Sequence, residues 1–216
     1  MAKRRGSFGI AYTYSEPLVH IEYILAAARQ ARELGLKNVL VSNGFVCRGP
    51  AEELLEHIDA ANIDLKTFNP EFYKREMGGD LAEVKRFIAQ AREKIHLEVT
   101  TLVIPSKNDS SEEIDSVARF LADLDPNIPY HLSAYFPSYK YDLSATDPAH
   151  LRDLAAVARR HLCYVYLGNV GSRAADTNCR YCGSLLVRRS GYRVEVTGIQ
   201  NGHCSQCAKS VPIPGV

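Results

Sequence analysis

Apolar positions along the chain fall into two alternating rhythms. Phe8 to Tyr14 is a β-rich apolar run; after it, Leu18, Ile21, Ile24, Leu25 and Ala28 recur at helical spacing within 18–34. Pro17 suits the first turn of that helix, and Gly35 suits the position just past its end. Asn38 to Ser42 reads as a second strand, and Pro50 opens a helix to about Asp59. Ile63 to Phe68 reads as a third strand. Asp80 is placed to cap the next helix, with Glu83 completing a capping box above the stripe Leu81, Val84, Ile88, Ala91 and Ile95. Leu97 to Ile104 is a near-continuous apolar strand. Ser110 and Glu113 form a second capping box, above Ile114, Val117, Leu121 and Leu124. Tyr130 to Phe136 is a strand, Asp147-Pro148 starts a helix through Leu151, Leu154, Ala155 and Ala158, and Tyr164 to Leu167 closes the series.

Strand-then-helix repeats with a closing strand predict an α/β fold with a parallel sheet and crossover helices. A doubly wound open sheet and all or part of a β/α barrel both fit. No G-x-G-x-x-G follows the first strand, which argues against a dinucleotide site. In either architecture ligands sit at the C-terminal ends of the strands. The polar residues expected there are Glu16 after the first strand, Ser42-Asn43-Gly44 after the second, and Asp64 and Lys66 on the third. Strand alternation points Asp64 and Lys66 to one face. Glu16 also reads as a simple acid at a helix N-terminus, and Asp64–Lys66 as a structural ion pair.

Composition narrows the picture. The chain has 216 residues, 46% of them hydrophobic, enough for a real core. Its 26 Lys+Arg nearly cancel 25 Asp+Glu, so charge exerts no general pull toward nucleic acid or membrane. No apolar run reaches the roughly 18 residues a membrane span needs. The basic opening Met1 to Gly6 is followed by no apolar signal-peptide core, so a cytoplasmic location is expected.

Four of six cysteines form two knuckles, Cys179-Arg180-Tyr181-Cys182 and Cys204-Ser205-Gln206-Cys207. Leu185 to Arg188 and Tyr192 to Thr197 read as β-runs between them, turning at Ser190-Gly191. Gly183 and Gly202 flank the knuckles. Four thiolates so spaced predict a closed zinc ribbon, with iron, an iron–sulfur cluster or disulfides as the other readings. A segment this short buries little core, so metal would supply its folding energy. Cys47 and Cys163 stand alone and read as ordinary thiols. The polar stretch from Gly171 to Asn178 marks a domain boundary, giving domains of 1–170 and 171–216.

Gly9-Ile10-Ala11-Tyr12-Thr13-Tyr14-Ser15-Glu16-Pro17 is similar to the strand "AYTYNEP" of the radical S-adenosylmethionine (SAM) enzyme of the AmmeMemoRadiSam system, a family related to pyruvate formate-lyase-activating enzymes. Val41 to Phe45, Asn62 to Lys66, Thr100 to Pro105, Tyr166 to Val170, the CxxC pair and Ile213 to Val216 resemble its later segments in order. The resemblance implies a radical SAM β/α barrel, present in part, followed by the ribbon. The intact enzyme would cleave SAM reductively at a 4Fe-4S cluster and make a 5′-deoxyadenosyl radical. Glu16 resembles the acid that grips the methionine ammonium, and Asn43, Asp64 and Lys66 resemble residues facing the SAM carboxylate and ribose. His131 reads either as a nucleoside neighbour or as a structural histidine.

The family's CxxxCxxC cluster motif is not among these residues. The chain is therefore expected to be the C-terminal portion of such an enzyme, inactive by itself, with a degenerate paralogue as the other reading. The resemblance implies AMMECR-family and Memo-family partners by association. The alternative function is a catalytically dead barrel whose ribbon binds a partner protein or nucleic acid through Arg180, Tyr181, Arg188, Arg189, Tyr192 and Arg193.

Overall fold

The computed structural model describes residues 2–171, 176–191 and 193–212. The elements, in chain order, are β1 (Gly9–Tyr12), α1 (Ile21–Glu33), β2 (Lys37–Ser42), α2 (Arg48–Leu55), β3 (Ala60–Asp64), the single turn α3 (Pro70–Phe72), α4 (Leu81–Lys94), β4 (His96–Val103), α5 (Ser111–Leu124), β5 (Tyr130–Ala134), α6 (Pro148–Ala158) and β6 (Val165–Gly168). The cysteine-rich segment adds β7 (Thr177–Asn178), β8 (Leu185–Ser190), β9 (Arg193–Val196), β10 (Ile199–Gln200) and β11 (His203–Cys204).

The first six strands form one sheet in the order β1-β2-β3-β4-β5-β6, and β1–β2, β2–β3, β3–β4 and β5–β6 pair in parallel. That sequential order separates the two expected architectures. A doubly wound sheet reverses its strand order part-way. With no reversal, right-handed crossovers between neighbouring strands put successive helices on one face within each run of strands. Burial follows this rule: β3 and β4 alternate strictly between buried and half-buried residues.

The chain divides into two compact units, Met1–Thr101 and Leu102–Val216. In the first, α1 lies on β1 and β2. Its core joins Leu40, Ile63, Leu97 and Val99 of the strands to Ile24, Ala28, Leu54, Val84, Phe87 and Ile88 of the helices, all buried. In the second, α6 packs on β5 and β6 and against α5. Its core contains Leu132, Leu167, Val117, Leu121, Leu151 and Leu154. A separate small cluster, Cys179, Leu186, Val187, Cys204 and Val211, fills the cysteine-rich segment. Each fully buried Leu, Ile or Phe contributes about 1.5–3 kcal/mol. No described helix is long and apolar enough to cross a membrane.

Several boundaries differ from the sequence pattern. A 3₁₀ turn, Pro17–His20, precedes α1, with Glu16 capping it through Leu18 N–H. The second helix starts at Arg48 and ends at Leu55, and Asp59 beyond it is held by Lys37 and by the Asn38 N–H of β2. The third strand begins and ends earlier than expected, so Lys66 lies beyond it. Asp80 caps α4 through Ala82 N–H as expected, but the Glu83 carboxylate turns to Arg86 instead of closing a box. The expected boundary at 170/171 adjoins residues 172–175, which lie outside the described residues, as do Tyr192 and the terminal Ile213 to Val216.

Candidate functional site

The C-terminal ends of β1, β2 and β3 carry a connected polar group. Glu16 leaves β1 and reaches across to the end of β2. Its Oε1 accepts from the Ser42 hydroxyl at 2.7 Å and from Leu18 N–H at 3.0 Å, and its Oε2 accepts from Asn43 N–H at 2.8 Å. Ser42 is buried, and its oxygen in turn accepts from Gly44 N–H at 3.1 Å. Gly44 sits at φ +69°, where an added Cβ would come 2.8 Å from Ile63 Cγ2, so only glycine fits this turn. Asn43 Oδ1 accepts from Phe45 N–H, an Asx turn that fixes the loop.

One strand further on, Lys66 Nζ donates to Asp64 Oδ2 at 2.6 Å, with both side chains about one-third exposed. The alternation that puts them on one face continues past the end of β3, because Leu65 N–H still bonds Thr100 C=O. Lys66 N–H donates to the hydroxyl of the buried Tyr73, whose pKa burial pushes up to about 12. On the same half-buried face Thr100 donates to Asn62 Oδ1 at 2.8 Å. Thus Glu16 and Asn43 are hydrogen-bonded to each other, and Asp64 and Lys66 form a second pair at the next strand end. Ser42 was expected at this strand end from sequence without a role of its own, and Asn62 and Thr100 were not singled out as site residues. The period-2 step back from Asp64 to Asn62 was a signal available for one of them.

The second group is the cysteine centre. Sγ atoms of Cys179, Cys182, Cys204 and Cys207 all lie within 4.8 Å of one another, and Cys179–Cys207 and Cys182–Cys204 are each 3.7 Å apart. A tetrahedral ion with 2.3 Å metal–sulfur bonds needs S···S separations of about 3.8 Å, so the four thiols fit one. The two knuckles share one backbone design. Gly183 N–H bonds Cys179 C=O, and Ala208 N–H bonds Cys204 C=O, both at 2.8 Å. Cys179 N–H bonds Ser184 C=O, and Cys204 N–H bonds Lys209 C=O. The fourth residue after each first cysteine is left-handed, Gly183 at φ +74° and Ala208 at φ +56°. Gly202 flanks the second knuckle as expected, at φ +73° two residues before Cys204.

The Ser184 hydroxyl bridges Cys182 and Cys204, at 3.1 and 3.2 Å. It lowers the Cys182 thiol and helps bring Cys204 down to about 6. The Lys209 backbone N–H pulls Cys207 the same way, but desolvation and the neighbouring sulfurs push it up to about 12. Sulfurs this close share protons, and a cation is what lets all four become thiolates together.

A sequential β/α sheet with its polar groups at the strand ends, followed by four cysteines that could hold one metal ion, defines the class as an α/β protein. The radical SAM superfamily model matches residues 1–121. The chain belongs to the radical SAM superfamily. An uncharacterized protein of Methanocaldococcus jannaschii is 32% identical over 212 residues, covering 95% of this chain and 63% of that protein. The pyruvate formate-lyase 1-activating enzyme of Escherichia coli is 26% identical over 133 residues, covering 57% of this chain and 53% of the enzyme. The chain thus spans about half to two-thirds of these curated relatives. Among solved structures, a domain of pyruvate-formate lyase-activating enzyme from Bacteroides vulgatus superposes with a TM-score of 0.64 at 16% identity, covering 74% of this chain and 99% of that domain. That likeness is one of fold.

Proposed function

We propose that this chain is the SAM-binding portion of a radical SAM enzyme of the AmmeMemoRadiSam type. The observation that carries the reading is Glu16, whose carboxylate is pinned at the end of β1 by Ser42 and Asn43 of the next strand end. A carboxylate so fixed keeps lone pairs for a ligand ammonium, a charge-assisted bond. Lys66 supplies a cation for a ligand carboxylate and Asp64 an acceptor for ribose hydroxyls. When bound to a 4Fe-4S cluster, SAM supplies an organic radical, the general chemistry of the superfamily. The residues' own part is to bind and orient SAM.

These 216 residues do not fit a 4Fe-4S cluster. The Cys179/Cys182/Cys204/Cys207 thiols lie close enough together to hold a single ion, Cys47 precedes α2 and Cys163 precedes β6. We therefore take these residues by themselves to be inactive in SAM cleavage. In the four-cysteine centre we place zinc, which four sulfur ligands close completely. The same reading sets the domain boundary at 170/171, a cytoplasmic location, and AMMECR- and Memo-family partners. The alternative of a nucleic-acid-binding ribbon has fewer cations available, because Arg180 bonds Asn127 and Arg189 bonds Thr177 and lies over Tyr166.

The test is an NMR titration of the chain with SAM. Signals of Glu16, Asn43, Asp64 and Lys66 should move together and saturate. Saturable shifts confined to other residues would sink the assignment.

A further inference from the structure

The four-cysteine segment is tied to the half-buried face of β5 and β6 by a continuous set of contacts. Thr177 stands two residues before Cys179 and is buried. Its hydroxyl meets the Tyr166 hydroxyl of β6 at 2.8 Å and accepts from Arg189 Nη1 at 2.6 Å. Arg189 belongs to β8, its guanidinium lies 5.6 Å from the Tyr166 ring centre, and its backbone N–H donates to Asp176 at 2.7 Å. Tyr166 in turn stacks on His131 of β5, centroids 5.2 Å apart and 26° between planes. The register places these two residues directly opposite each other. A second tie leaves the first knuckle itself: Arg180 donates to Asn127 Oδ1, and to Cys163 Sγ at 3.5 Å.

We infer that the four-cysteine segment is a metal-dependent brace for the β5–β6 face, with Thr177, Arg189 and Tyr166 as positioning residues that set the His131 ring. The physical reason is the shortness of the segment. Its core cluster has five buried members, two of them cysteines of the four-thiol group. A core that small does not hold β7 and β8 in register without a metal. Without that register, Thr177 and Arg189 have no fixed place. Tyr166 then loses its hydroxyl partner and the cation beside its ring, and His131 loses a fixed stacking surface. The Arg180 tie removes a further degree of freedom, because it starts between two metal-facing cysteines. The brace rests on the four-cysteine centre holding a metal, and not on the SAM reading.

The experiment follows the His131 ring signal, assigned with H131Q, in zinc-loaded and chelator-stripped full chain, with metal content measured in each sample. Stripping should move the His131 signal and speed amide exchange at Tyr166 and Leu167 by about tenfold, the value of one net hydrogen bond. Two variants keep the cysteines intact. Tyr166→Phe removes the hydroxyl tie and keeps the ring, and Arg189→Met removes the cation and its bond to Thr177. Each should retain its metal and shift His131 toward the stripped position. Should stripping precipitate the protein, these variants carry the test alone. A His131 signal that stays put in both variants, with metal bound, overturns the brace. A chain that binds no metal at all fails at the metal reading, which the content measurement identifies separately.

Discussion

Glu16→Gln is the most informative single change at the strand-end group. The carboxylate accepts three hydrogen bonds, from Ser42 Oγ, Leu18 N–H and Asn43 N–H. An amide has one acceptor oxygen. If that oxygen keeps Ser42 and Leu18, the amide NH₂ faces the Asn43 N–H donor. If the amide turns over, Asn43 is satisfied and Leu18 N–H is left. Either way one backbone N–H loses a charged acceptor, worth about 1.5–3 kcal/mol. Asn43 is half-exposed, so water relieves part of the loss and the lower end of that range is expected. Glu16→Ala removes all three bonds, the Leu18 cap among them, with a cap alone worth about 1 kcal/mol, so it should cost more. The assay is denaturant unfolding followed by circular dichroism, with Glu22→Gln on the exposed side of α1 as control. An exposed-surface change of that kind stays within about 0.5 kcal/mol. The same samples are then titrated with SAM, and both Glu16 variants should blunt the response. If Glu16→Gln unfolds with the control, the carboxylate is not a clamp, and the geometric reasoning fails. If it loses stability yet binds SAM like the parent, the clamp stands and the ammonium role is refuted.

Protein purified without added zinc should contain about one equivalent of metal, and iron with visible absorbance would replace zinc in the assignment. Anaerobic iron–sulfur reconstitution of these 216 residues with dithionite and SAM should release no 5′-deoxyadenosine above background; catalytic release would overturn the argument from cysteine spacing. Ala208→Gly should increase resistance to chelators, since a non-glycine residue at positive φ carries a penalty of about 1–2 kcal/mol, part of which the freer unfolded chain takes back; Gly183→Ala should do the reverse, and equal behaviour of the two variants would refute the shared knuckle design. Asp115 should make α5 acid-sensitive. Hydrogen bonds from His161 and Arg119 hold its carboxyl below the ordinary carboxylate value, so its contribution is complete above that value and disappears as pH falls through the lower folded-state pKa. Asp115→Asn should flatten that part of the acid-unfolding curve, and an unchanged curve would count against the pairing.

The alternation of apolar rhythms determined the order and type of the main elements, because burial on one helix face or one strand face is a local property of spacing. The CxxC spacing likewise determined a four-sulfur centre, because a two-residue gap brings both thiols of a knuckle to one side whatever surrounds them. Boundaries were less legible. Nothing within 63–68 told that β3 would start at Ala60 and stop at Asp64; pairing with His96 to Thr100 of β4 decided that. The choice between doubly wound sheet and barrel-like order rested on which strands are neighbours, a non-local fact. The same holds for the site. Sequence placed Glu16 and Asn43 at two strand ends, but that they bond each other directly, beside a buried Ser42 that also donates to Glu16, depends on β1 and β2 lying side by side. It gave no hint that Arg180 and Arg189, which read as a basic surface, would be spent on Asn127, Thr177 and Tyr166. Side chains 11 to 53 residues apart meet there only because the folded backbone sets their distance.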